Sequence, residues 1–175
     1  MEAAGELFYA RGVGSTSVDD IAEASGLTKP TLYRHFPSKE ALVAAYLDER
    51  DDHLDAELRH WIEQVPPRIG PRVVIDWLCH WIARPGFHGC AFVRTYAELG
   101  DQAARDRAVR RKRALLAAIE EACRAAEARE ATALARELAL IVEGATTLAY
   151  VSGDGRTVAS TARRLGRLAL RAHGL

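Results

Sequence analysis

The chain has 175 residues, with 24 Lys and Arg balanced by 24 Asp and Glu, so its formal net charge is zero; this argues against indiscriminate nucleic-acid binding but leaves room for a local footprint. Hydrophobic residues make up 49% and charged residues 27%, Ala, Leu, Arg and Glu dominate, and few stretches alternate apolar with polar, which together point to a globular all-α protein. No apolar run approaches the roughly 20 residues that span a bilayer, and no basic stretch followed by an apolar one marks a signal peptide, so a cytoplasmic protein with no membrane partner is expected.

Met1 to Arg11 places Ala4, Leu7 and Phe8 on one helical stripe and is stopped by Gly12 and Gly14. Thr16 or Ser17 caps a second helix, with Asp19 or Asp20 completing a capping box, and that helix runs to about Ser25. Gly26 supplies the residue free of Cβ strain that a tight turn needs. Thr28 caps a third helix that tolerates Pro30 in its first turn and ends near Phe36-Pro37. Ile21 and Ala22 form the apolar face of the second helix, and Leu27 and Leu32 plug the third back onto it. This is the pattern of a helix-turn-helix, whose second helix enters the DNA major groove. Lys29, Arg34 and Lys39 fall here with no acidic residue among them, a small basic footprint in the right place.

Ser38 caps a long fourth helix carrying Leu42, Tyr46, Leu54, Leu58, Trp61 and Ile62 at helical spacings. Pro66-Pro67 and Gly70-Pro71 punctuate the chain. A strongly apolar fifth helix covers Val73 to Ala83, and residues 84–89 break it. The sixth helix runs from Cys90 to Leu99, and Asp101 caps a seventh that reaches about Ala128 with Val109, Leu116, Ile119 and Cys123 inward and Arg110 to Arg113 largely outward. The eighth, about Ala131 to Val151, is apolar nearly all round and should be buried on more than one side. The ninth, about Thr157 to His173, sets Val158, Ala162, Leu165, Leu168 and Ala169 against a solvated face of Arg163, Arg164, Arg167 and Arg171. Nine helices result, three of them in the DNA-reading unit.

The three cysteines, Cys79, Cys90 and Cys123, form no C-x-x-C pair, so neither a zinc site nor a disulfide framework is expected and each reads as a thiol in a reducing compartment. Cys90 beside His88 invites a redox or nucleophile role, but no base, orienting group and oxyanion hole can be read around it. An enzyme is therefore not expected, nor a metal or cofactor.

The stretch from Ala3 to Tyr46, A-A-G-E-L-F-Y-A-R-G-V-G-S-T-S-V-D-D-I-A-E-A-S-G-L-T-K-P-T-L-Y-R-H-F-P-S-K-E-A-L and onward, resembles the N-terminal domain of TetR-family transcriptional regulators. The likeness lies in the L-F-x-x-x-G lead-in, the T-S-V-x-D-I-A capped helix, the L-Y-x-H-F recognition helix and the P-S-K-E-A-L opening of helix four. It implies a nine-helix TetR-like fold, with residues 1–46 as a helix-turn-helix DNA-binding domain and 47–175 as a helical ligand-binding and dimerisation domain. The stretches G-C-A-F and L-x-L-I-V-E-G-A-T also look like those of some members. Members usually carry another turn of helix one, often basic, ahead of the position of Glu2; here it is absent, through truncation or because the protein lacks it.

Carried onto matching positions, the resemblance implies that Lys29 donates to guanine O6/N7 or a phosphate, and that Thr31 bonds a base or offers its methyl to thymine. It makes Tyr33 a phosphate or thymine-methyl contact and His35 a backbone contact. Thr16, Ser17 and Lys39 are assigned to phosphates, and Thr28 to capping combined with a contact. Helices five to eight offer Trp77, Trp81, Phe92, Tyr96, Leu116, Ile119, Thr147 and Tyr150 as an aromatic, apolar lining for a small hydrophobic ligand, with Glu143 meeting a cation there or pairing with an Arg of the bundle. Helices eight and nine are expected to build a homodimer through Leu138, Ile141, Ala145, Leu148, Val158, Leu165 and Leu168. The reading that results is a ligand-responsive regulator, a repressor binding a palindromic operator in double-stranded DNA. The alternatives are a redox-responsive regulator working through Cys90 and a ligand-independent DNA-binding protein.

Overall fold

A computed structural model describes all residues 1–175. It contains nine α-helices and no strand: α1 (Glu2–Arg11), α2 (Val18–Ser25), α3 (Lys29–His35), α4 (Lys39–Glu63), α5 (Gly70–Ile82), α6 (Ala91–Leu99), α7 (Gln102–Ala125), α8 (Ala131–Ser152) and α9 (Gly155–Ala172). By packing, the chain divides into two compact units, one of residues 1–53 with 90–109 and the other of residues 54–89 with 110–175. No helix is long and apolar enough to cross a membrane.

In the first unit, α1 packs on α2 and α2 on α3. Phe8, Val13, Ile21, Leu32, Leu42 and Leu47 are buried, and the Phe8 and Tyr46 rings meet at 5.5 Å. Burial pushes the Tyr46 phenol up to about 12, because the phenolate would have to leave water. Local chemistry sets the helix ends. The Ser17 hydroxyl accepts the Asp20 N–H at 3.1 Å, while the Asp20 carboxylate accepts the Ser17 N–H at 2.7 Å, which closes a capping box. Gly26 ends α2 at φ +67°, and the next N–H, of Leu27, returns to the Ala22 carbonyl at 3.1 Å; a residue with a Cβ is strained in that left-handed conformation. Ser38 caps α4 and Asp101 caps α7 through the N–H groups of Ala41 and Ala104. Two expectations fail here. Leu27 is 45% exposed, so Leu32 alone plugs α3 onto α2, and Val109 lies at the surface of α7.

In the second unit, nine of the thirteen residues of α5 are buried, and α8 and α9 pack against α5 and against each other. Gly70-Pro71, read above as punctuation, forms the first turn of α5, where proline's missing N–H leaves no bond unmade. Arg111 corrects the outward basic cluster: it is buried, and its guanidinium pairs with Asp55. Its place follows from helical spacing, since Ala104, Ala108, Leu115, Ile119 and Ala122 are the buried stripe of α7 and residue 111 falls on it.

Helix α8 is apolar on two sides for different reasons. Leu134, Ala135, Leu138, Val142, Ala145 and Ala149 face the core, so Leu138 and Ala145, expected at a dimer interface, are spent inside the subunit. Leu140, Leu148 and Val151 face outward, as do Leu165 and Leu168 of α9, while Ile141 and Val158 are half-buried. The core stripe of α9 is Ala159, Ala162, Gly166 and Leu170. Leu138→Ala is expected to cost about 2–5 kcal/mol, because Leu138 is 0% exposed. Urea denaturation checks this, and a loss below 1 kcal/mol would mean that the core stripe is wrongly phased.

Candidate DNA-reading surface

The surface is built on a short scaffold. Ile21 and Leu32 are buried between α2 and α3 and hold the seven-residue α3 by one side. The other side is open: Lys29, Tyr33, Arg34 and His35 are exposed, Tyr33 by 47%, and Thr31 is half-exposed. Thr28 caps the helix, accepting the Thr31 N–H at 3.4 Å, and its hydroxyl lies 2.9 Å from that of Thr31. Lys39 is half-exposed at the start of α4. Thus Thr28, Lys29, Thr31, Tyr33, His35 and Lys39 all present polar atoms at the surface of one unit.

Two expected contacts stand differently. Thr16 is 0% exposed, and its hydroxyl donates to the Gly12 carbonyl at 2.7 Å. It locks the turn between α1 and α2 and is not open to a phosphate. Ser17 is exposed, but its N–H and its hydroxyl both donate to Asp20, at 2.7 and 2.6 Å. Those bonds, the hydroxyl's first, hold the Asp20 carboxyl below its ordinary 3.8. The sign is that of a depressed carboxylate: the stabilisation is present above that ordinary value and lost as pH falls through the lower folded one. Lys29 meets Asp19 of α2 at 2.6 Å, and its hydrogen bond to that carboxylate raises the ammonium pKa. The two side chains are 48% and 71% exposed, so the pair contributes little.

Sequence reasoning missed what holds the α1–α2 turn from outside. Arg94 and Glu98 of α6 form an i,i+4 pair at 3.9 Å. The Arg94 guanidinium donates to the Tyr9 carbonyl at 2.7 Å, and the Glu98 carboxylate accepts the Gly14 N–H at 2.7 Å. A Cβ on Gly12, at φ +95°, would clash with the same carboxylate, so glycine there lets Glu98 reach the turn. The only sequence signal was the i,i+4 spacing, which usually marks a solvated pair.

The expected ligand-lining residues are scattered. Trp77 and Ile119 are buried in the second unit, Trp81 and Leu116 are half-buried there, and the Trp77 and Trp81 rings stack at 5.8 Å. Glu143 meets a cation, the Lys112 ammonium at 2.7 Å, and not an arginine of the bundle. Phe92, buried, and Tyr96, at the surface, belong to the first unit. Thr147 shares the outward face of α8 with Leu148, and Tyr150 is exposed too, which corrects their assignment to an interior lining. No three His, Cys, Asp or Glu side chains are placed to hold a metal.

Comparison with known proteins bears on both units. The profile of the bacterial regulatory proteins, tetR family, matches residues 1–46. The HTH-type transcriptional regulator TtgR of Pseudomonas putida is 34% identical over 114 residues, 58% of this chain and 54% of TtgR, so the match spans about half the length of that relative. Two crystal structures match nearly end to end. A TetR-family transcriptional regulator from Streptomyces coelicolor has a TM-score of 0.92 at 28% identity, covering 99% of this chain and 93% of its own. A protein from Streptomyces avermitilis assigned as a TetR transcriptional regulator has a TM-score of 0.77 at 30% identity, covering 96% of this chain and 94% of its own. TtgR and the Streptomyces coelicolor protein are regulators of transcription.

The grip of α6 on the turn generates a prediction. Glu98→Ala leaves the Gly14 N–H without its acceptor and is expected to lower stability by about 1 kcal/mol and to speed amide exchange at Gly14. Exchange followed by NMR checks it, and unchanged protection at Gly14 would show that the bond contributes nothing.

Proposed function

The chain belongs to the TetR family of bacterial regulatory proteins, and from that premise we propose that it is a ligand-responsive, DNA-binding transcriptional regulator, a repressor, that grips a palindromic operator as a homodimer. The observation that carries the reading is α3: a helix held by Leu32 that leaves Lys29, Thr31, Tyr33 and His35 on its open flanks, with no acidic residue between Thr28 and Lys39. Such a helix enters the major groove, where Lys29 donates to guanine O6/N7 or a phosphate and Thr31 meets a base. Tyr33, His35 and Lys39 position the helix through the backbone, and Thr28 combines its cap with a contact. Ser17 contributes by exchanging Asp20 for a phosphate. On this reading residues 1–46 read DNA and residues 47–175 bind ligand and dimerise.

Dimerisation is supported by the outward apolar face of α8 and α9. Leu148 is 61% exposed, and Leu140, Val151, Leu165 and Leu168 accompany it. An exposed apolar patch of this kind suits a twofold interface. Two subunits then set their recognition helices in successive major grooves, roughly 34–36 Å apart. Ligand response is supported by Trp77, whose buried indole N–H has no hydrogen-bond partner; an acceptor on a bound molecule relieves the cost of that orphaned donor. Ligand binding shifts α4, and half-sites that no longer match the spacing lose simultaneous engagement.

Selection from random DNA identifies the operator. Lys29→Ala and Tyr33→Ala are each expected to weaken binding to it by about 1–3 kcal/mol with the dimer intact; wild-type affinity in both variants would refute the assignment. Leu148→Glu is expected to yield folded monomers in sedimentation or light scattering, and an unchanged mass would count against the α8–α9 interface. A thermal-shift screen of hydrophobic metabolites separates a ligand-responsive regulator from a ligand-independent one, since a protein that binds none of them gains no stability.

A further inference from the structure

The second unit has a cleft that the regulator reading leaves unused. Its volume is about 600 Å³, and Trp61 of α4, Asp76 and His80 of α5, Arg84 just beyond α5, and Arg156 and Arg163 of α9 line it. None of the residues foreseen as ligand-lining takes part. We propose that this cleft binds an anionic aromatic small molecule, an aryl carboxylate, with arginines on the carboxylate and the Trp61–His80 pair against the ring. The inference does not rest on the regulator reading; it follows from charge, shape and ring geometry in one unit.

Charge supplies the first argument. Three guanidinium groups line the cleft, those of Arg84, Arg156 and Arg163, and Arg84 pairs with Glu57 while Arg163 pairs with Asp76. Glu57 takes Arg84 at 2.6 Å. Asp76 is shared between Arg72 at 3.5 Å and Arg163 at 3.6 Å, longer on both sides than the 2.7–2.9 Å typical of a charge-assisted bond. Arg156 is exposed and forms no salt bridge; Asp154, whose charge it feels, caps α9 through the Thr157 N–H at 3.0 Å. Arg163 and Arg156 therefore keep donors for an incoming anion, and a guanidinium matches a carboxylate in a bidentate fork.

Shape supplies the second. The Trp61 and His80 rings lie 5.5 Å apart at a 40° tilt, two aromatic faces beside the cations. On the α5 side, the Cys79 thiol donates to the Ala159 carbonyl at 3.3 Å, tying α5 to α9 beside the cleft. The volume lies within the roughly 300–1,000 Å³ of small-molecule sites. An inorganic anion would leave the rings unused, and a neutral arene would leave the surplus guanidinium groups unanswered, so the lining selects both features in one molecule.

The test titrates 2-naphthoate into the full-length protein by calorimetry and tryptophan fluorescence, with 2-naphthalenemethanol and inorganic phosphate as comparisons. Saturable binding of the acid is expected, with the alcohol and phosphate each at least about tenfold weaker. Arg156→Gln and the double variant Arg156→Gln/Arg163→Gln change exposed side chains on α9. They are expected to weaken the acid by about tenfold or more without moving the melting temperature of the free protein. Trp61→Phe is expected to abolish most of the quenching. The proposal is overturned if the acid does not saturate, if the alcohol or phosphate binds as tightly, or if both arginine variants bind the acid like wild type, which would place it elsewhere.

Discussion

The burial of α5 is the constraint on which the second unit depends. Val74, Trp77, Leu78 and Ile82 are at most 2% exposed, and each large apolar side chain so placed contributes about 1.5–3 kcal/mol. Packing around such a helix requires close approach, and α9 meets it with small residues: Ala159, Ala162 and Gly166 face inward. The larger apolar residues Leu165 and Leu168 are displaced to the outside, where Leu140, Leu148 and Val151 of α8 join them. The outward apolar patch, proposed above as a dimer interface, is thus a consequence of how the inside is filled. The polar residues of α5 follow the same logic, since Asp76 and His80 escape the core only where the flank of α9 leaves a cleft, and they emerge among its arginines.

Much of the first unit was legible because its determinants are local. A capping box spans three residues, a left-handed glycine ends one turn, and Leu32 on Ile21 needs only a two-helix pattern, so the positions of α1 to α4 came out within a residue or two. The choice between Thr16 and Ser17 as cap was not legible: both are hydroxyl residues, and what separates them is a bond from Thr16 back to the carbonyl of Gly12. The grip of Arg94 and Glu98 joins residues 84 and 85 positions apart, and no local pattern carries that. Nor could the phase of α8 be read. A helix apolar on two sides offers no stripe by which to tell Leu138, inside, from Leu148, outside. Arg111 is the opposite case: its spacing from Ala108, Leu115 and Ile119 placed it inward, but three basic neighbours made a solvated cluster the easier reading.

Charge placement links the two units to one functional argument. A protein of zero net charge has no general field to hold it on DNA, so the non-specific, salt-dependent part of its affinity must come from the few cations around α3. One of those, Lys29, already has a partner in Asp19. Contact with DNA therefore exchanges one solvated pair for another, and the net gain at that residue lies in base-edge geometry more than in added attraction. Under the proposed function a single subunit would read a half-site selectively but hold it weakly. Under the proposed function, affinity comes from the second copy, because linking two weak readers raises the effective concentration of the second at its half-site. In the proposed dimer that dependence would also make the switch sensitive: when each half contributes little alone, a small change in their separation releases both.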